Sequence, residues 1–202
     1  MASGIVAGEI VVGKSKARFS YPPLAMPVCL VGANVGGKPN FEAIAWFSLV
    51  DYQPNLIGLS SEKSHHTNKG VRENKTFSVN VPSAGMAEVT DFCGLNSGSK
   101  VDKSGVFEVF YGELGTAPMI SECPFNLECR LKQTVELLHV EFFIGEIVGV
   151  YIDDQYLTGG RPDLRKIDPL LFEGSVGDYW RLGEHVARAF EIGKKYKPRQ
   201  NR

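Results

Sequence analysis

No apolar run in this chain of 202 residues approaches the roughly 20 that a membrane-spanning helix needs, so no membrane partner is expected. An excess of one charge is also missing. There are 22 Lys and Arg against 23 Asp and Glu, a formal net charge of −1. Such a balance gives no overall field to draw in nucleic acid or an anionic lipid surface. Cysteine is scarce: Cys29, Cys93, Cys123 and Cys129 are the four. None forms C-x-x-C and none has histidines at zinc-site spacing, so no metal is expected. The start, MASGIVAGEI, lacks the basic residues and apolar stretch of a secretion signal, which leads to the expectation of a cytoplasmic chain with reduced thiols. Cys93, in the loop-like DFCGLNSG, reads as a small buried thiol, with a place near a site as the alternative.

Familiar catalytic signatures are absent as well. GANVGG follows an apolar run but is not G-x-G-x-x-G, and it reads as a hairpin turn. GLNSGSK lacks the spacing of a phosphate-binding P-loop. No serine sits in G-x-S-x-G, which leaves an esterase elbow unsupported. His65 and His66 are adjacent, so on a helix their side chains would diverge by about 100°. No catalytic side-chain constellation emerges.

What is present is a succession of short β-type runs. GEIVVGKSKARFS, PVCLVGA, FEAIAWFSLVDYQ, NLIGLSSE and FSVNVPS are separated by Gly, Pro and Asn clusters. Farther on, RLKQTVELLHVEFFIGEIVGVYID reads as long strands with a break near Glu136 to His139. This order favours an antiparallel barrel or sandwich over an alternating strand–helix fold. Helices are expected at Thr67–Asn74, with Thr67 as N-cap, and at Ala84–Gly94, closed by Gly94. A third is expected over LGEHVARAFEIGKKY, where Leu182, Val186, Ala189 and Phe190 form one stripe. Length and composition suit one domain, residues 1–202, with a barrel core over about 22–160 and a helical extension over about 161–202.

The stretch 40–104 has the chemistry to hold a phosphate-bearing ligand. Ser60 and Ser61 end a strand, and Ser64 and Thr67 precede a short helix whose free N–H groups favour an anion. Lys63, His65, His66, Lys100 and Lys103 add positive or potentially positive groups. Ala45, Trp46, Phe47 and Ser48 alternate on a strand that could lie beside a flat ring. Each feature also has an ordinary structural use, as a helix cap or a core aromatic.

PVCLVGA, the Asn40-to-Trp46 spacing, the segment from Ser61 through His66, Thr67 and Asn74 to Phe77, FSVNVPS and KVDKSG occur together in order. That combination resembles the flavin reductase-like family with the FMN-binding split barrel, and within it the flavoredoxin branch, over about residues 22–190. The resemblance implies a mainly β fold: a six-stranded antiparallel Greek-key barrel with flanking helices, normally a homodimer with FMN near the subunit interface. It implies flavin contacts at Asn40, Trp46, Thr67, Lys103, His139 and Phe172. Asn40 would meet the ribityl chain or ring edge, and Trp46 would line the pocket. Thr67 would bind phosphate with Ser61 and His66, and Lys103 would add charge. His139 and Phe172 would serve the partner's side of the site. The implied activity is an oxidoreductase passing electrons from NADH or NADPH through flavin to free flavin, ferric iron or a partner protein, with no side chain as acid or base. The alternatives are an FMN electron carrier reduced by a protein donor and a non-redox FMN-binding module. Where many reductases have an arginine-rich turn, this chain has SGSKVDK, and no motif selects between the two nicotinamides.

Overall fold

The apolar stretch after Leu24 forms two strands, β1 (Ala25–Pro27) and β2 (Cys29–Val35). β2 shows why PVCLVGA is apolar throughout instead of alternating. Cys29, Val31 and Ala33 enter one buried cluster while Leu30 enters another on the opposite face. The chain returns antiparallel as β3 (Lys38–Ile44) across Gly36–Gly37. Both glycines have positive φ, 57° and 80°, as a two-residue hairpin turn requires. The computed structural model describes residues 20–198 together with Gly13, Lys16 and Arg18. The strand expected in GEIVVGKSKARFS therefore lies almost wholly outside the described residues.

FEAIAWFSLVDYQ is not one strand. It breaks at Ala45–Trp46, and β4 (Phe47–Tyr52) follows. The break has a topological cause, because β3 pairs with β2 whereas β4 pairs with β5 (Asn55–Glu62). Then come α1 (Thr67–Asn74), β6 (Thr76–Val81), α2 (Ala87–Leu95), a short hairpin of β7 (Val109–Phe110) and β8 (Met119–Ile120), and a long one of β9 (Phe125–Glu136) and β10 (Val140–Ile152). The expected break near Glu136 to His139 is the turn of that long hairpin.

The large sheet is antiparallel throughout and runs β3-β2-β6-β9-β10-β5-β4. Its two outermost strands, β3 and β4, are separated by only two residues of chain, and Ser60 donates its N–H to the Trp46 carbonyl at 2.9 Å. The sheet must therefore curl until its ends approach each other. Register shifts in the β9–β10 pair help it bend. The result is the expected barrel. Its interior is filled by Val31, Ile57, Leu59, Phe77, Val79 and Phe143, each worth roughly 1.5–3 kcal/mol relative to an exposed side chain. These come from β2, β5, β6 and β10, with Ile44 of β3 and Cys129 of β9 completing a six-strand core. β4 is an outer edge, exposed from Ser48 to Tyr52.

α2 covers the opposite face of β3, with Cys93 packed among Leu30, Phe41, Phe107, Ile120 and Cys123. DFCGLNSG is thus helical as far as Leu95, and Cys93 is a buried core thiol raised by burial above its ordinary pKa. Gly94 does not close this helix; Asn96 does, and its side chain also bonds the Phe92 carbonyl at 2.9 Å. Thr67 is the first residue of α1 and not its cap, since His66 occupies that position without a side-chain cap.

The C-terminal third differs from expectation. After β10 come a small hairpin of β11 (Leu157–Thr158) and β12 (Arg161–Pro162), then α3 (Leu164–Ile167), β13 (Leu171–Glu173) and β14 (Asp178–Trp180). β13 sits between β1 and β14 in a three-stranded sheet. The helix expected over Leu182–Tyr196 is absent: residues 181–188 form no helix, and only a single 3₁₀ turn, Ile192–Lys195, follows. The apolar stripe finds nothing to pack against among the described residues, Val186 and Phe190 being 91% and 94% exposed. A helix this short is marginal without tertiary burial. No helix among the described residues is long and apolar enough to cross a membrane.

Candidate functional site

β3 carries two cavities, one at each end. Near the hairpin, Lys38, Pro39 and Asn40 join His66, residues 98–100, Asp102 and Lys103 around a polar cavity of about 310 Å³. At the other end, Ala43 to Trp46 line an apolar cavity of about 500 Å³, with Tyr21, Leu24, Met26 and Phe172 as further walls and Ser60, Glu62 and His65 as its polar members. A third cavity of about 440 Å³ shares Leu24, Met26, Ala45, Trp46 and Ser60 with the second and adds Phe47, Ser48 and Phe142. The adjacent histidines fall either side of the turn into α1, so His65 serves the apolar cavity and His66 the polar one.

The twelve residues singled out from the sequence divide accordingly. Asn40, His66 and Lys103 line the polar cavity. Ala45, Trp46, Ser60 and Phe172 line the apolar one, and Phe47 and Ser48 the third. Ser61 and Thr67 are buried behind these walls and line none of the three. Thr67 accepts a hydrogen bond from Asn40 Nδ2 at 2.7 Å, so its hydroxyl orients the asparagine that faces the cavity. His139 is exposed in the β9–β10 turn, where its carbonyl accepts from the Lys63 N–H at 3.1 Å, and its side chain lines none of these three cavities.

Several details of the polar cavity suit an anion. The His66 Nδ1 is buried without a partner among the described residues. Burial and the charges of Lys69 and Lys103 hold this imidazole below its ordinary pKa, so it is neutral and able to accept or donate one bond. Gly98 brings its backbone so close to Asn40 and His66 that a Cβ there would overlap both side chains. Lys103 is only 3% exposed and donates to the Phe41 carbonyl at 2.6 Å and the Cys93 carbonyl at 2.9 Å. It is first a clamp that fixes the 98–103 loop to β3 and α2, with one N–H left over. Burial lowers its pKa. Lys100 and Lys38 supply more accessible charge, though Lys38 is paired with Asp102 at 3.0 Å.

The apolar cavity is backed by a buried polar network that the sequence reading missed. Glu42, in the middle of β3 and 6% exposed, lies 2.7 Å from His65 Nδ1 and 3.0 Å from Ser61 Oγ. Ser61 Oγ also lies 2.6 Å from Asn68 Oδ1, and Asn68 Nδ2 donates to Glu141 at 2.9 Å. Arg72 completes the chain as the ion-pair partner of Glu141. The bond to Glu42 raises the His65 pKa; burial opposes the shift, Glu62 adds to it and Lys103 subtracts. The available signal was a carboxylate in the apolar run FEAIAW, since a buried charge there requires a partner.

Residues 21–177 match the flavin reductase like domain, so this chain belongs to that family. The chain is 50% identical to a flavoredoxin from Methanosarcina acetivorans, with a TM-score of 0.88 over 91% of this chain and 98% of that one. It is 32% identical to the flavoredoxin of Desulfovibrio vulgaris (Miyazaki F), with a TM-score of 0.79 over 92% and 100% of the two chains. A protein of Archaeoglobus fulgidus is 31% identical over 129 residues, 63% of this chain and 72% of its own length. The fold is the flavin reductase-like split barrel, also seen in a Shewanella frigidimarina protein at 23% identity and a TM-score of 0.70 over 81% of this chain and 85% of that one.

Proposed function

We propose that this protein binds FMN and acts as a flavin-dependent oxidoreductase. The observation that carries the reading is the pairing along β3 of a polar cavity with an unsatisfied imidazole and an apolar, aromatic-walled cavity. A molecule with an anionic tail and a flat apolar ring needs that combination. The residues fit both ends. His66, Asn40, Lys100 and the backbone at Gly98 would hold the phosphate and ribityl chain, with Thr67 and Lys103 fixing their positions. Trp46, Phe172 and Tyr21 would flank the ring. Bound flavin supplies two-electron redox chemistry, while the chain orients it and limits water around it.

We further propose that a nicotinamide, NADH or NADPH, is the electron donor and that the protein is a homodimer. Support for the dimer is exposed apolar surface among the described residues: Leu49, Val50 and Tyr52 on β4, Leu137 and Leu138 in the β9–β10 turn, and Val186 and Phe190 of the C-terminal arm. The place of His139 beside Leu138 suits a role across that interface. A second reading, an electron carrier reduced by a protein, draws support from the flavoredoxins among the relatives.

The test is anaerobic mixing of the FMN-loaded protein with each nicotinamide. Rapid bleaching of the visible flavin band by NADH or NADPH supports the reductase. Bleaching only by a reduced protein such as ferredoxin supports the carrier.

A further inference from the structure

Resting on the flavin reading above, we infer that His65, positioned by buried Glu42, is the proton donor for a quinone-type acceptor reduced in the apolar cavity. Four observations lead there. First, His65 is one of only a few polar residues on a wall otherwise built from Tyr21, Leu24, Met26, Ile44, Trp46 and Phe172. Second, its Nδ1 is engaged by Glu42 at 2.7 Å and by Ser61 at 3.1 Å, which fixes the ring and leaves Nε2 as its remaining polar atom. Third, Glu42 has a neighbour on its other oxygen: Ser61 Oγ lies 3.0 Å from it and 2.6 Å from Asn68 Oδ1, sharing its one hydrogen between these two acceptors. A buried carboxylate carries a desolvation cost that an apolar residue would avoid, and it raises the basicity of the imidazole it orients. Fourth, the apolar cavity and its neighbour share Trp46 and Ser60, giving room for a flat second molecule beside a ring.

The charged groups that face His65 are Glu42 from β3, Glu62 from the end of β5 and Lys103 from the loop after α2. Two carboxylates and one ammonium favour a protonated ring. Reducing a quinone to its hydroquinone consumes one hydride equivalent and one proton. Under the flavin reading the hydride equivalent comes from the reduced cofactor. The proton leaves His65 Nε2, forming an O–H bond on the quinone oxygen as the N–H bond breaks. The imidazolium becomes a neutral imidazole that still donates Nδ1–H to Glu42. Its side chain is 35% exposed, so a proton from water can restore it. Glu42 acts as a positioning residue, because it touches His65 and not the acceptor.

The experiment uses full-length protein loaded with FMN, photoreduced, and mixed anaerobically with menadione across about pH 6 to 9, the range over which a histidine changes charge. Wild type, His65→Gln and Glu42→Gln are compared, and the His65 imidazole is titrated by NMR in each flavin-free protein that retains it. Wild-type oxidation is expected to slow as pH rises through the His65 midpoint. In His65→Gln the rate near neutral pH should fall by about 10²-fold and lose that pH dependence. In Glu42→Gln the kinetic inflection and the NMR midpoint should move together to lower pH. Should His65→Gln fold poorly, the paired shift in Glu42→Gln still decides the matter. An unchanged rate and pH profile in His65→Gln overturns the inference, as does a His65 that titrates at or below the value of a free imidazole. A wild-type protein that retains no flavin fails earlier, before any variant is compared, and removes the flavin reading and this inference together.

Discussion

Gly98, Asn40 and Thr67 show how closely the polar cavity is fitted at the scale of single residues. A methyl group at Gly98 would overlap Asn40 and His66. Gly98→Ala should therefore weaken FMN by at least about tenfold, some 1.4 kcal/mol, while leaving the thermal midpoint of the flavin-free protein nearly unchanged, as fluorescence titration and calorimetry would record. Thr67 reaches the cavity only through its bond to Asn40, so Asn40→Ala and Thr67→Ala should not be additive. Each should weaken FMN more than riboflavin, which lacks the phosphate. Additive losses in the double variant would mean that Thr67 acts independently. The Glu42–His65 pair carries a pH signature in stability as well. The folded-state pKa of His65 lies above its ordinary 6.5, so the pair stabilises fully below that value and the contribution is lost as pH rises through the folded value. The gap in melting temperature between wild type and His65→Gln should be widest at about pH 6 and narrow by pH 9. His66 at the start of α1 could be flagged from sequence because anion binding at helix starts has simple chemistry; that Ser61 and Thr67 sit behind the cavity walls could not. Glu42 could not, because its role depends on burial beside Ser61 and His65, nineteen and twenty-three positions farther along the chain.

Among elements, strands were the most legible. NLIGLSSE is β5 and TNKGVREN is α1, residue for residue, because flanking turn residues and a short local period marked them. The division of FEAIAWFSLVDYQ into β3 and β4 was hidden, since the break reflects a change of pairing partner and not a local breaker. The helix expected at Leu182–Tyr196 followed from periodicity alone, and its stripe meets no surface among the described residues. α1 is tied to the barrel by more than Val71. Its Arg72 pairs with Glu141 of β10, a carboxylate that is 5% exposed and also bonds Asn68. Arg72→Met would leave that carboxylate with one neutral partner, and the expected cost is about 1–3 kcal/mol in denaturant unfolding. A cost near zero would show that Glu141 is satisfied without the arginine.

At the scale of the whole molecule, the barrel does two things at once. Curling brings β3 back to β5, which puts both cavities and the Glu42–His65 pair along one strand. It also leaves β4 and the C-terminal arm with exposed apolar side chains, the surface proposed to meet a second copy. Ending the chain after Arg181 removes the arm without touching a wall of the three cavities described, so it should shift the sedimentation profile from dimer toward monomer. An unchanged profile would place the interface elsewhere. One FMN held along β3 is the proposal on which these roles depend. Its most direct test is to incubate the purified protein with excess FMN, desalt it, and measure flavin absorbance per chain. Wild type is expected to carry close to one flavin per chain and Gly98→Ala a much smaller share. A wild-type protein that emerges colourless would contradict it.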